Sequence, residues 1–195
     1  LLSALAFGLA FPYQARLNNP NENVRLYLTR AVVEDQSFRI GRRVLGPRGT
    51  RDQEGSVGRW GPVNDKALVC DGAGGQPPRC SGDLYAAKAP GVSLLAVPAY
   101  AALAAIGDRV LGRAPSKRTA LLVLREITVA LPWVLGLLAL ARWLGRQSWG
   151  RGPGALLALL SLALGSIASP YAALFVGHSL GGLALLLALL ALERE

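Results

Sequence analysis

Between Ile127 and Leu192 the only charged side chains are Arg142, Arg146 and Arg151. A stretch so poor in charge cannot present a solvated face, and it predicts membrane-spanning helices, each needing about 20 apolar residues. Drawn as one helix, Gly154 to Leu192 would be about 58 Å long at about 1.5 Å per residue, roughly twice the ~30 Å hydrocarbon core of a bilayer. Ser169-Pro170-Tyr171 breaks it, because proline lacks the backbone donor and clashes with the preceding turn. Two spans follow, 154–168 and 171–192. A third is predicted over 119–143, with Arg125 and Glu126 near its start. The segment 91–111, interrupted by Pro98, is a membrane-associated helix. Positive charge concentrates on the inner side of a membrane. With Arg142–Arg151 inside, 91–107 lies along the outer leaflet and 119–143 crosses inward; two crossings with Arg109–Arg118 inside is the rival arrangement.

The other half of the chain is polar. Residues 18–91 are caught between apolar runs, Leu1 to Phe11 before and 91–111 after. The opening run is too short to cross a bilayer and has no basic segment ahead of it, as a signal peptide would. It reads as a partial first span, 1–17. With no Met anywhere and Leu192-Glu193-Arg194-Glu195 following directly on an apolar helix, the chain is expected to be a fragment. Within the polar interval, Val24, Tyr27, Leu28 and Ala31 recur at three- and four-residue spacing, which predicts an amphipathic helix over 23–35 able to lie on a membrane face. Ser37 to Ile40 can form a short strand. Gly46 to Pro62 is rich in Gly, Arg and Asp and reads as irregular. Lys66–Cys70 and Leu84–Ala86 can pair as a hairpin across a turn-forming loop. Cys70 and Cys80 flank that loop; they could form a disulfide on an oxidising side or remain two thiols.

The chain of 195 residues is 52% hydrophobic and 17% charged, with a net charge of +9. The basic residues are interleaved with acids between Arg16 and Lys88 and otherwise flank apolar helices. That is the pattern of loops beside membrane spans, and it argues against nucleic acid as a partner. A single histidine and two cysteines are too few for a structural zinc site.

Gly177-His178-Ser179-Leu180-Gly181 matches the GxSxG nucleophile elbow of α/β-hydrolases, in which a strand-to-helix turn exposes the serine. The triad needs a histidine and an acid, both following the serine in that fold. No histidine follows Ser179, and His178 is the only one in the chain. The hydrolase is therefore a remote alternative. A helix in which small residues permit close packing is the simpler reading; in it His178 lies two turns beyond Tyr171 on the same face, and an ionisable residue in a span is a candidate for function.

The ends of the polar interval carry a resemblance. Asn21-Glu22-Asn23-Val24-Arg25-Leu26-Tyr27 opens it, Leu84-Tyr85-Ala86-Ala87-Lys88-Ala89-Pro90-Gly91 closes it, and Ser169-Pro170-Tyr171 through Gly177-His178 lies further on. In order and spacing these resemble bacterial membrane glycosyltransferases of the GT-C superfamily, in the branch described as dolichyl-phosphate-mannose-protein mannosyltransferase-like, with aminoarabinose transferases more distant. There a periplasmic loop opens on an acidic motif, often Asp-Glu-x-Arg-Tyr, and closes on a Lys-Pro-Pro-like motif. This chain departs from the pattern: Asn21 replaces one acid, Ala87 stands where relatives often carry another, and Ala89 replaces one proline.

The resemblance implies an all-α polytopic membrane protein, a GT-C-like helical bundle with an extracytoplasmic loop carrying a juxtamembrane helix and a small hairpin, in a bacterial inner membrane. It implies an inverting transfer of a sugar from a polyprenyl-phosphate donor to an acceptor hydroxyl. Glu22 would be the general base. Lys88 would hold the lipid phosphate, with Arg25, Tyr27, Tyr85, Arg125 and His178 lining the site. Membrane lipid and the lipid-linked sugar are the partners. A divalent metal is conceivable, with no residue set to support it. The alternative is a non-catalytic membrane protein with a structural or binding role.

Overall fold

A computed structural model describes residues 19–47, 49–70, 82–147, 150 and 152–193. The partial first span over 1–17 and Cys80, with its pairing to Cys70, lie outside the described residues. The described residues divide into two compact units, 19–121 and 122–193.

The first unit is mixed α/β. Helix α1, Pro20–Glu34, starts at Asn19, whose side chain accepts from the Asn21 N–H at 3.1 Å, with Pro20 preset for a first turn that needs no donor. Strands β1 (Arg39–Gly46) and β2 (Gly49–Gln53) form an antiparallel pair closing at Gly46 opposite Gly49. A short helix α2, Gly55–Trp60, follows. Strands β3 (Lys66–Cys70) and β4 (Gly82–Ala86) pair antiparallel, and β4 also pairs with β1, giving one sheet in the order β2-β1-β4-β3. Helices α3 (Gly91–Leu95) and α4 (Val97–Leu111) complete the unit.

The sheet overturns the all-α expectation. Its strands are concealed because they are stitched by cross-strand charges rather than marked by apolar alternation. Arg43 and Asp52 face each other in register and form a forked pair at 2.7 and 3.2 Å. Lys66 reaches the same carboxylate at 3.0 Å, and Arg39 meets Asp83 at 3.2 Å. Of these only Arg43 and Asp52 stand directly across a ladder, where opposite charges contribute a few tenths to about 1 kcal/mol. The residues read as an irregular Gly- and Arg-rich stretch over 46–62 are thus β2 and α2, and the Lys66–Cys70 pairing with β4 is part of a four-stranded sheet, not an isolated hairpin. Gly41 permits the close approach of α2 to β1: a Cβ there would lie 2.8 Å from Val57 Cβ and 3.0 Å from the Gln53 carbonyl.

The helix expected to lie on a membrane face is instead the centre of this unit. Val24, Leu26, Tyr27, Leu28 and Ala31 are buried, and so are Glu22, Asn23, Thr29 and Arg30. Several of its polar side chains are supplied with partners, although the buried Arg25 Nε and Arg30 Nε have no hydrogen-bond acceptor among the described residues. Thr29 Oγ1 donates to the Ser93 carbonyl at 3.1 Å, and Ser56 Oγ donates to the Tyr27 carbonyl at 2.9 Å. Arg30 pairs with Glu34 at 2.7 Å, donates to Ser56 Oγ and lies over the Trp60 ring. Glu34 also receives Arg59 and the Tyr100 hydroxyl. Buried polar groups supplied with partners in this way escape the cost of desolvation.

The second unit is helical. Helix α5, Lys117–Leu144, begins in the first unit and continues into this one; among the described residues it is the one helix long and apolar enough to cross a membrane. The polytopic expectation is corrected accordingly. A π turn at Glu126–Ala130 precedes Pro132, where the ring cannot supply a normal backbone donor. Helices α6 (Pro153–Gly165), α7 (Ala168–Ala172) and α8 (His178–Leu192) follow. The first and last are apolar but 10–17 residues long, short of a crossing. A small core of Ala130, Trp133, Leu137, Ala163 and Ala172 holds the unit, and Gly136 lets Leu183 of α8 come against α5. Much apolar surface is left over: Leu156, Leu157, Leu160 and Leu164 of α6 and Leu185, Leu187, Leu189 and Leu192 of α8 are exposed.

Candidate functional site

The two ends of the polar interval meet through a residue that belongs to neither. Glu22 and Arg25 sit in the first turns of α1. Lys88 follows β4. Between them comes Asp65, in the turn before β3. Lys88 Nζ lies 3.6 Å from Asp65 Oδ2. The Ala87 N–H donates to the Asp65 carbonyl at 3.0 Å, which fixes the Lys88 backbone beside the turn. Arg25 donates to the Asn21 carbonyl at 2.8 Å and to Asn21 Oδ1 at 3.2 Å. Burial pushes its pKa down, while the charges of Asp65 and Glu22 pull it back up. Lys88 and Asp65 thus form an ion pair, and Arg25 lies within electrostatic reach of Asp65 and Glu22.

The members differ in access. Glu22 is 3% exposed. The Asp65 and Lys88 side chains are 26% and 34% accessible, so a ligand can reach them.

Tyr27 points away from these charges into a neighbouring set of contacts. Its hydroxyl lies 2.9 Å from the Trp60 carbonyl and 3.0 Å from that of Gly61 and receives the Lys117 ammonium at 3.1 Å. Burial raises its pKa to about 12. Its contacts are those of a core tyrosine. Tyr85 follows the buried Leu84 along β4 and so projects from the opposite face of the sheet, close enough to Arg39 to act on its charge. Successive strand positions thus separate Tyr85 from the side on which Leu84 is buried.

Arg125 and His178 belong to the second unit. Arg125 is 1% exposed within α5. His178 is exposed at the start of α8, its ring 4.9 Å from that of Tyr171 in a T-shaped contact. The single helix read over 171–192 is broken between Ala172 and His178. The Gly177–Gly181 stretch opens a helix directly after a turn, and no strand leads into it, so the strained strand-to-helix elbow that exposes a hydrolase serine is not formed. Ser179 is buried.

Sequence reasoning missed Asp65, although a signal was present. The register Lys66 opposite Ala86, carried one residue outward, sets Asp65 across from Ala87 and so next to Lys88. The acid missing before Lys88 along the chain is present across the sheet. Among the described residues, no three His, Cys, Asp or Glu side chains converge as a metal site would require. No known protein family, characterised protein or solved structure matches this chain, and the likeness to GT-C glycosyltransferases rests on the quoted motifs alone.

Proposed function

We propose that this chain serves the transfer of a sugar from a polyprenyl-phosphate donor to an acceptor hydroxyl at a membrane face. The observation that carries the reading is the Asp65–Lys88 pair beside Arg25 and Glu22, which gathers acid and base from both ends of the polar interval. Such a transfer needs a carboxylate to take the acceptor proton and cations to hold the departing lipid phosphate. Lys88 and Arg25 are the cations. Of the two carboxylates, Asp65 is the better base, since a general base must touch the hydroxyl it deprotonates and Glu22 is enclosed. Glu22 then orients Arg25 as a positioning residue. The leucine faces of α6 and α8 support a membrane setting, because contiguous apolar surface of this kind is uncommon on monomers in water.

The test is sugar transfer from a radiolabelled polyprenyl-phosphate sugar in reconstituted membranes. Asp65→Asn and Lys88→Ala are expected to lower the rate by about 10²–10⁴-fold, the range of a lost general acid–base or charge contribution, with thermal unfolding confirming that both variants are folded. Glu22→Gln is expected to act more weakly. Wild-type rates in all three variants sink the proposal.

A further inference from the structure

The chain reverses direction between α4 and α5, and the reversal builds a cleft. Helix α4 ends on Gly112, left-handed at φ +60°, with the Arg113 N–H donating back to the Gly107 carbonyl at 3.2 Å. This is the glycine-dependent end that satisfies the last carbonyls of a helix. It brings the Arg113 carbonyl so close that a Cβ on Gly107 would lie 2.8 Å from it. The resulting cleft of about 290 Å³ has two kinds of wall. One is apolar, formed by Leu103, Ile106 and Leu111. The other is polar, formed by Arg113, Ser116 and Thr119.

The polar wall has unspent donors. Arg113 makes no ion pair among the described residues. Ser116 and Thr119 hydrogen-bond each other at 2.8 Å, which uses one of their two hydroxyl protons; the other has no acceptor among the described residues. Arg109, Lys117 and Arg118 are close in sequence, and Asp108 is the only acid between Gly107 and Arg125, so the rim is cationic. Lys117 is turned to the Tyr27 hydroxyl, and among the described residues Arg113 is the charged side chain that lines the cleft. Beside it Ile106, Val110 and Leu111 are 57%, 72% and 61% exposed. A guanidinium with a hydroxyl donor next to an exposed apolar strip matches an anion that carries a hydrocarbon tail. Arginine is suited to phosphate because its planar donors meet two oxygens at once.

We propose that this cleft seats the headgroup of an anionic phospholipid, phosphate on Arg113 and the Ser116–Thr119 hydroxyls, with the start of an acyl chain along Leu103, Ile106 and Leu111. Its place at the start of α5, the one helix of membrane-crossing length among the described residues, sets it where a headgroup would lie if α5 enters a bilayer. The proposal does not depend on the glycosyl transfer described above.

The test is titration of the purified full chain in neutral detergent with dihexanoyl phosphatidylglycerol, against dihexanoyl phosphatidylcholine and inorganic phosphate, followed by calorimetry. Phosphatidylglycerol is expected to bind at least about tenfold tighter than either comparator, and Arg113→Ala to weaken it about tenfold or more, as the loss of a charge-assisted hydrogen bond predicts. Ser116→Ala combined with Thr119→Val is expected to weaken it several-fold while leaving the fold intact, and Asp65→Asn to leave it unchanged. Equal binding of phosphatidylcholine, equal binding of inorganic phosphate, or wild-type affinity in Arg113→Ala each overturns the proposal. Lipid binding without any sugar transfer would sink the transferase reading and leave this one standing.

Discussion

Helices α1 and α8 each have fifteen residues and make opposite use of them. α1 reads Pro-Asn-Glu-Asn-Val-Arg at its start and is buried over most of its length, charged side chains included. α8 is almost wholly leucine, alanine and glycine after its first turn, yet only Ser179 and Leu183 are buried. The difference lies in what surrounds each. α1 is ringed by a sheet and three helices that offer a partner to each of Thr29, Arg30 and Glu34. α8 packs Leu183 against Gly136, half-buries Leu180, Leu186 and Leu190, and leaves most of its other side chains exposed. Hydrophobicity by itself does not decide burial within a folded chain; available partners do. An apolar helix that finds few of them within its own unit carries a surface suited to something other than water.

The largest effect that would break this contrast is a pair of leucine truncations. Leu84, fully buried in β4, is expected to cost about 2–5 kcal/mol when changed to alanine, the range for a core cavity. Leu185, 64% exposed on α8, is expected to change stability in detergent by no more than about 0.5 kcal/mol, as exposed positions do. Thermal or denaturant unfolding of both variants decides it. A cost of several kcal/mol at Leu185 would mean that the leucine face of α8 is packed against protein.

Next in size is Gly41→Ala. The added Cβ would press on the Cβ of Val57 and on a backbone carbonyl, neither of which is the loose end of a flexible side chain. Overpacking of this kind costs about 1–3 kcal/mol. The measurement is the shift in unfolding midpoint. A neutral result would show that α2 rides loosely on β1, and the first unit would lose its claim to be the tightly specified one.

How much of this was legible in the sequence follows from the same contrast. The apolar helices announce themselves, because a long run without charge has few other solutions; only their lengths and breaks differ, since α6 stops at Gly165, Ser169-Pro170 fall in the first turn of the short α7, and His178 opens a new helix. The α1 helix was legible from the spacing of Val24, Tyr27, Leu28 and Ala31, but its central burial was not. Arg30 and Glu34 look like a solvated face until Ser56, Arg59, Trp60 and Tyr100 are brought to them from far along the chain. The sheet was hardest to see. Strand β2 reads Gly-Thr-Arg-Asp-Gln, and its apolar signal is nil; what stabilises it is the partner Arg43 finds in Asp52, a relation between two strands that neither one displays. Glu22 and Lys88 could be picked out as the ends of the interval. Asp65, which joins them, could be found only by extending the register of β3 and β4 past the last paired residue.

The smallest of these effects bears on how α1 is held. Tyr27 gives its proton to one of two carbonyls, Trp60 or Gly61, and accepts from Lys117. Tyr27→Phe keeps the ring contact with Trp60 and removes both bonds, for an expected loss of about 0.5–1.5 kcal/mol at neutral pH. Its alkaline behaviour is more diagnostic than that loss. Burial lifts the folded tyrosine from 10.0 to about 12, so between those values the unfolded chain gives up a proton that the folded one keeps. Stability from this source is fully present below about pH 10 and is lost as the pH rises through about 12. Tyr100 is raised in the same direction, by burial and by its bond to Glu34, so part of the alkaline decline should survive the substitution. Denaturant unfolding between about pH 9 and 12 is expected to show a shallower fall in Tyr27→Phe than in the wild type. Superimposable pH profiles would mean that the hydroxyl is not enclosed, and α1 would then be open to solvent along the side where it meets Trp60.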